Sequence, residues 1–252
     1  MAGSLPSQHV HAVGRDPGDG KLYLATHDGL FRYDPTGPTR VGPVIDLMGF
    51  TIVGAGHYLA SGHPGPGVDL PQPVGLLEST NAGQTWQQRS RAGESDFHTL
   101  TASPAGVLAF DTAVRSSVDG RTWHERTIPS EPRWLSTSPD GARTLATTAA
   151  GVLLSTDDGA TWISLSGSPL LLLTAWMDAT TVVGVAPSGV LHISRDQGRG
   201  WAPAGGSVPG VPQALAAGLS RGQREIVLVT DDAIWRSVDD GASLIAYRGG
   251  PM

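Results

Sequence analysis

The amino-acid sequence predicts an all-β protein made of six similar units of four short antiparallel strands, and three observations lead to this prediction. Glycine and proline account for 34 and 19 of the 252 residues, so turns must be frequent. An eight-residue motif returns along the chain at a nearly constant spacing. Short apolar segments precede each copy of the motif. Short apolar segments separated by frequent turns are typical of an all-β fold rather than a helical one.

The repeated motif is an octet that begins with serine and, in most copies, ends with tryptophan. Its copies are Ser79–Trp86, Ser117–Trp123, Ser155–Trp162, Ser194–Trp201 and Ser237–Leu244, of which the second is one residue shorter and the fifth ends in leucine. Their last residues lie 37, 39, 39 and 43 residues apart. Residues 29–37 resemble the same strand and turn with a degenerate octet, which brings the number of units to six. Six units of about 40 residues with four strands each predict a six-bladed β-propeller.

Two further apolar segments precede the strand that enters each octet, and they supply the first and second strands of each blade. The inner-strand candidates span residues 9–17, 46–53, 96–104, 133–141, 171–178 and 213–220. The second-strand candidates span residues 21–27, 57–63, 106–111, 143–148, 181–186 and 225–230. We expect one domain over residues 1–252, with blades at approximately 9–45, 46–91, 92–130, 131–168, 169–208 and 209–250. The sequence does not decide how the ring closes. Residues 1–8 can add a strand to the last blade, or the first and last blades can pack together without a shared strand.

The octet pattern Ser-x-Asp-x-Gly-x-x-Trp resembles the Asp-box or BNR repeat of sialidase-like and sortilin-like β-propellers of the glycosyl-hydrolase-like superfamily. The resemblance covers almost the whole chain, and it implies that the octets form hairpins on the face opposite the ligand site. The residues of the turn agree with a structural role for the octet. Asp157 can accept hydrogen bonds from backbone N–H groups, and Gly159 can adopt a positive φ. We therefore expect function at the other face, where inner strands start and second strands end.

Histidines are concentrated in the first three blades, since six of the eight precede residue 99. His11 aligns with His98 at the start of an inner strand, and His27 aligns with His63 after a second strand. Imidazoles that meet at one opening can coordinate zinc or copper. We therefore predict a non-catalytic protein with a metal site formed by these four histidines at one mouth of the central channel. Additional candidate ligands are His9, Met48, Glu94 and Asp96, and a methionine ligand would favour copper.

Two other readings of these histidines stay open. They can line a pocket for a small organic ligand, or they can be structural residues bonded to carbonyl and carboxylate groups. Trp134, Trp176, Arg115 and Arg133 are further candidates for the lining of a ligand pocket, with the tryptophans as stacking platforms. A protein-interaction scaffold is another alternative.

A glycoside-hydrolase-like enzyme acting at the same mouth is the catalytic alternative, because such enzymes need two carboxylates across the scissile bond. Its candidate catalytic residues are Glu94, Asp96 and Asp111, with Asp28 and Asp46 as further carboxylates. The sialidase resemblance implies three arginines and a tyrosine nucleophile at the site. Only Arg115 and Arg133 can be placed near the mouth, and none of the four tyrosines can, so sialidase activity is not expected.

Composition excludes several other classes of function. A net charge of −6 and a pI near 5.7 leave no basic surface for nucleic acid. The absence of cysteine excludes disulfides and cysteine-ligated metals. We expect no nucleotide cofactor, since no glycine-rich loop leads into a helix, and no membrane insertion, since no long apolar run occurs. A monomer is favoured. The sequence leaves the cellular compartment open. An exported or envelope location is one alternative, and the signal segment would then lie outside this chain.

Overall fold

The computed structural model describes residues 5–34 and 36–247, which form 24 strands in six four-stranded antiparallel sheets. The first three sheets comprise β1 (Val10–Arg15), β2 (Leu22–Thr26), β3 (Gly29–Asp34) and β4 (Gly37–Val41); β5 (Ile45–Gly54), β6 (His57–Pro64), β7 (Leu76–Ser79) and β8 (Gln87–Ser90); and β9 (Thr99–Ser103), β10 (Gly106–Phe110), β11 (Val114–Ser117) and β12 (His124–Arg126). Each sheet is a simple meander, because consecutive strands are hydrogen-bonded neighbours.

The last three sheets follow the same plan. They comprise β13 (Pro132–Thr137), β14 (Thr144–Thr148), β15 (Gly151–Ser155) and β16 (Ile163–Ser164); β17 (Leu173–Trp176), β18 (Val182–Val185), β19 (Val190–Ser194) and β20 (Ala202–Ser207); and β21 (Pro212–Ser220), β22 (Gln223–Thr230), β23 (Ile234–Ser237) and β24 (Ile245–Ala246). In the described ranges every regular element is a strand, and no helix there is long and apolar enough to cross a bilayer.

The six sheets stand radially around a central channel. Each inner strand contacts the inner strand of the next sheet, in the order β1, β5, β9, β13, β17 and β21, and β21 contacts β1. The six-bladed β-propeller predicted from the octet period is therefore confirmed. The core lies between neighbouring blades. Leu22 and Leu24 of blade one, for example, pack with Val227 and Val229 of blade six.

Side chains join the first and last blades and close the ring. All four described strands of blade six come from β21–β24, so closure needs no strand from residues 5–9. The side chain of Gln213 accepts from the Val10 amide at 2.9 Å and donates to the Gln8 carbonyl at 3.0 Å. Farther along β1, the Arg15 guanidinium donates to the carboxylate of Glu225. The joint between the chain ends is therefore polar as well as apolar.

The octets form hairpin turns held by their own serine and aspartate. In the third copy the Gly159 amide donates to Ser155 Oγ at 2.9 Å, and the Thr161 amide donates to Asp157 Oδ1 at 2.8 Å. Gly159 has φ of 78°, as the turn chemistry predicted. The Trp162 indole donates to the Gly159 carbonyl at 3.1 Å and packs on the cluster between blades three and four. Because first and third strands run the same way, these hairpins lie opposite the inner-strand starts.

Replacing Asp157 with alanine is expected to lower the free energy of unfolding by about 1–2 kcal/mol, because its carboxylate accepts three hydrogen bonds in an exposed turn. Asp157→Asn should cost less than half as much. Asn81 already occupies this place in the first octet, where its Oδ1 accepts from the Thr85 amide at 3.0 Å. Urea unfolding of the two variants measures the difference, and equal losses would contradict this role of the side-chain oxygen.

Candidate metal centre at the channel mouth

A local irregularity of the inner strands presents side chains at the mouth. Pairing with the second strand skips one residue near the start of β1, β5, β13 and β21. The skipped residue is a β-bulge, a device that redirects a side chain out of the regular sheet. His98 and Leu172 occupy the position of the bulge residue in blades three and five. Their backbone amides donate to the carbonyls of Phe110 and Val185, respectively. The six bulge positions are His11, Met48, His98, Arg133, Leu172 and Gln213.

A compact trio of ligand atoms forms where blade one meets blade two. His27 Nδ1 lies 2.8 Å from Asp46 Oδ1, and His11 Nε2 lies 3.3 Å from His27 Nδ1. His11 Nε2 lies 3.7 Å from the same Asp46 oxygen. Ligands of a tetrahedral zinc ion, each at about 2.0–2.1 Å, lie about 3.3–3.4 Å from one another. The three atoms are thus already spaced like one face of a metal coordination shell.

The electrostatics of the trio keep His11 neutral. Burial and the nearby His27 lower the pKa of His11 to about 4, against the opposing attraction of Asp46. A neutral imidazole carries the lone pair that a metal ion needs. The His9 ring stands edge-on to the His27 ring with centroids 5.1 Å apart, so a third imidazole borders the site. His27 is the most open of the trio, with a side chain 41% exposed.

A second cluster forms where blade two meets blade three. Asp96 Oδ2 lies 2.9 Å from His63 Nε2 and 2.8 Å from His98 Nε2. The other polar atoms of two of these side chains, His63 Nδ1 and Asp96 Oδ1, are buried and have no hydrogen-bond partner in the described part of the chain. The four histidines predicted to form one site therefore lie at one mouth but in two clusters, each centred on a carboxylate.

Asp46 is the site residue that sequence reasoning undervalued, since we considered it only as a possible catalytic carboxylate. The signal was present in the alignment of the inner strands. The tripeptides 9–11, 46–48 and 96–98 begin the first three blades, each with a polar residue, a buried anchor and a bulge residue. His9, Asp46 and Asp96 share the first position. Because Asp46 occupies the same position as His9 and Asp96, which were already expected near the mouth, the alignment also predicts Asp46 there.

Two of the three candidate catalytic carboxylates are engaged outside the histidine clusters. Burial raises the pKa of Asp111, but hydrogen bonds from Ser95, the Thr112 and Ala113 amides and Arg115 outweigh that effect and lower it to about 2. Asp111 occupies the position in blade three that Thr26 and Thr148 occupy in blades one and four. In all three, the side-chain oxygen accepts a hydrogen bond from the backbone amide two residues later in the turn. It is therefore a turn residue. Glu94 is exposed and lies 3.4 Å from the Arg91 guanidinium.

Of the four residues expected to line one ligand pocket, Trp134 and Trp176 both border the cavity in the channel, whereas Arg115 and Arg133 lie elsewhere. Arg115 is held by Asp111 and Glu125, and Arg133 is exposed at its bulge. Trp176 is 6% exposed, packs between blades four and five, and donates its indole N–H to the Ser136 carbonyl at 3.1 Å. It borders the channel cavity at the end of β17, away from the mouth, and is too buried to serve as an exposed stacking platform.

Trp134 lies inside the channel rather than at its rim. Its indole donates to the Thr174 carbonyl at 3.0 Å and packs against the clusters of blades one and two and of blades five and six. Below the mouth the channel holds a cavity of about 370 Å³, lined by inner strands of all six blades and extending to Pro17 and Pro139 at their far ends. The cavity therefore lies toward the octet face, apart from the histidine clusters.

Comparison with known proteins shows the fold but no family. No protein family matches the sequence, and no curated protein is similar to it in sequence. Among solved structures, the chain is similar to a chain of a nidogen/laminin complex, with a TM-score of 0.69, 12% identity, and 89% of this chain and 91% of that chain covered. It is also similar to YCF48 bound to a D1 peptide, with a TM-score of 0.63, 16% identity and 94% of both chains covered. The shared feature is the propeller.

A hydrolase also belongs to this group of similar structures. An ancestral GH74 enzyme matches with a TM-score of 0.61 and 14% identity over 93% of this chain. The chain spans 36% of the length of that enzyme. The propeller thus occurs in hydrolases and in proteins that bind other proteins, so function must be argued from the site itself.

Proposed function

We propose that this propeller binds a zinc or copper ion at the channel mouth through His11, His27 and Asp46, without catalysing a reaction. The observation that carries the proposal is the spacing of the three ligand atoms, with contacts of 2.8, 3.3 and 3.7 Å. Two imidazole nitrogens and one carboxylate oxygen are a ligand set that suits both metals. The fourth position is open to water, to His9 or to a group of a partner.

Hydrogen bonding alone accounts less well for this trio. His27 Nδ1 faces both Asp46 Oδ1 and His11 Nε2, and it carries at most one proton. A metal ion accepts a lone pair from all three atoms at once. The three residues also come from two blades and three separate segments of the chain, so local turn formation does not require their meeting.

A protein-binding role at the same mouth is the second candidate, and an asymmetry of the mouth favours it. Blades five and six present Leu170 and Val211, 52% and 57% exposed, at the positions that hold Asp46 and Asp96 in blades two and three. Exposed apolar side chains at equivalent positions of two neighbouring blades are candidates for contact with a partner. The similar structures of nidogen/laminin and of YCF48 with its peptide add support. Selection from a peptide library, repeated with Leu170→Ser/Val211→Ser, tests this role.

The glycoside-hydrolase alternative has weaker support. It rests on the GH74 similarity and needs two free carboxylates across a bound sugar. Glu94, Asp96 and Asp111 are each held by arginine or histidine partners. Turnover of aryl glycosides that is abolished by Asp96→Asn would revive it.

Loss of a residue that only hydrogen-bonds a metal ligand typically lowers metal affinity by roughly 10–100-fold. Replacing His27 with alanine is expected to lower zinc affinity by more than this, because the variant loses a direct ligand. Isothermal titration with zinc chloride at pH 7.5, and metal analysis after dialysis, measure the change. His57→Ala is the matched control. Its imidazole lies 2.8 Å from Glu78, with a side chain 39% exposed, but on the octet face. Equal zinc binding by both variants would refute the assignment.

A further inference from the structure

The cavity in the channel is a cup that opens on the octet face, opposite the histidine clusters. Inner strands run from the mouth to the octet face, so Trp134, near the start of β13, borders the deep end of the cup. The other end lies beside Pro17, Val53 and Pro139, all of which are exposed. A molecule can therefore enter the cavity without passing the proposed metal site.

Two long inner strands raise one side of this opening. Counted from the bulge residue, β5 and β21 continue for six and seven residues, whereas β13 and β17 continue for four. The extended ends carry Val53 and Leu219, which are 43% and 68% exposed. Val53 is a bulge residue of its own, since the pairing of β5 with β6 skips it. The opening is thus bordered by apolar side chains, which favour the entry of a largely apolar ligand.

The volume and lining of the cavity match those of a small-molecule site. Ligand pockets typically have volumes of about 300–1,000 Å³ and mostly apolar and aromatic walls with a few polar groups. This cavity has a volume of about 370 Å³, and its lining includes the aromatic residues Phe50, Trp134 and Trp176. An apolar cavity of about 150 Å³ in another protein binds benzene. The channel cavity is more than twice as large and has room for two fused rings.

The charges and hydrogen bonds of the walls indicate an uncharged ligand. Among the described residues that line the cavity, Arg15 alone is charged, and its guanidinium donates to Glu225 and to the Gly20 carbonyl. A charged ligand would lose its hydration here without meeting an uncommitted counter-charge. The lining hydroxyls of Ser136 and Thr174 bond each other at 2.7 Å, so they are engaged as well.

Backbone groups of the inner strands can supply polar contacts to a ligand. Each inner strand has a hydrogen-bonded neighbour in its sheet on one side only, so alternate N–H and C=O groups face the channel. In blade four, the amides of Leu135 and Thr137 donate to threonine hydroxyls of the preceding blade. The lining residues that precede β1 and β5 around the ring, 215–217 and 12–14, are apolar and carry no hydroxyl. The edges of β1 and β5 are therefore available to a ligand.

We propose that the channel cavity binds one uncharged heteroaromatic molecule of two fused rings, which enters from the octet face. Its rings contact Phe50 and Trp134 in the offset or edge-on arrangements that aromatic rings prefer. Its ring N–H and C=O groups bond the backbone edges of β1 and β5. The inference goes beyond the proposed metal site, which lies at the other end of the channel and is not required for this binding.

Equilibrium dialysis of the whole chain against 2-quinolinone, an uncharged two-ring lactam, tests the proposal. The buffer contains EDTA, so that no metal ion contributes. We expect saturable binding of one molecule per chain. Naphthalene has the same two fused rings without the N–H and C=O groups, so its affinity should be lower by about tenfold.

Two substitutions that place a phenyl ring in the cavity locate the site. Ala217 of blade six and Thr51 of blade two are half-buried and line the cavity. Ala217→Phe and Thr51→Phe should each lower the affinity for 2-quinolinone by about tenfold or more, because an apolar pocket discriminates strongly against lost volume. Ala202→Phe, on the exposed face of the outer strand β20, is the matched control and should leave the affinity unchanged.

The outcomes are independent of the metal titration at the mouth. Absence of saturable binding by the wild-type chain would overturn the site, whether or not zinc binds. Equal affinities for 2-quinolinone and naphthalene would overturn the contacts with the strand edges. Unchanged affinity in Thr51→Phe would show that binding takes place outside the cavity, and this variant decides the matter if Ala217→Phe fails to fold.

Discussion

Replacing Glu225 with glutamine is expected to lower the free energy of unfolding by about 3–5 kcal/mol, because it removes the negative partner of the buried Arg236 and the mostly buried Arg15. Glu225 is 5% exposed. Its carboxylate accepts from Arg15 Nη2 of blade one at 2.8 Å and from Arg236 of its own blade. Glutamine keeps the shape of the side chain but removes the negative charge that faces both guanidinium groups. The loss falls on the contact that closes the ring.

Chemical unfolding in urea, followed by tryptophan fluorescence, measures this effect. Glu125→Gln is the matched control, since Glu125 also pairs with an arginine, Arg115 at 3.2 Å, but its side chain is 67% exposed. Exposed pairs contribute about 0–1 kcal/mol. If the two variants lost similar amounts, the ion cluster around Glu225 would not be what holds blades one and six together.

Replacing Trp134 with alanine is expected to cost about 3–5 kcal/mol, because it removes a large side chain that contacts apolar clusters on both sides of the channel. The residues at the same register in other blades include Ala12, Gly49 and Ala214, which are small and leave room for one indole. The existing cavity of about 370 Å³ would therefore grow toward the mouth.

Trp134→Phe separates the packing contribution from the hydrogen bond. It keeps an aromatic ring but loses the bond to the Thr174 carbonyl, so we expect about 1–2 kcal/mol. Val118→Ala, at a position 84% exposed, is the control and should stay within about 0.5 kcal/mol. Thermal and urea unfolding measure all three variants. A loss below about 1 kcal/mol for Trp134→Ala would mean that the channel does not depend on the indole.

Much of the fold could be predicted because the repeat is local. Serine, aspartate and glycine within five residues contain the whole turn, as the bonds around Ser155 and Asp157 show. The apolar strand before each turn then follows from its spacing. The mouth position of His11, His27, His63 and His98 could also be predicted, because alignment of blades assigns each residue to an end of its strand.

The composition of the candidate site could not be predicted in the same way. His27 meets Asp46 of the next blade and His63 meets Asp96, although the alignment treats all four histidines alike. Trp176 was expected at the mouth but is the last residue of β17, away from the mouth, and packs between blades four and five. Both outcomes depend on contacts between blades, and no local pattern records those.

The sequence by itself determined the number of blades, the place of the turns and the half of the ring that carries imidazoles, because each of these depends on residues close together in the chain. The tertiary structure alone decided that the imidazoles divide between two carboxylates and that blades one and six meet through Glu225. The physical reason is that each depends on the angle between neighbouring sheets and on bulges that redirect single side chains. Those are set by the packing of the whole ring.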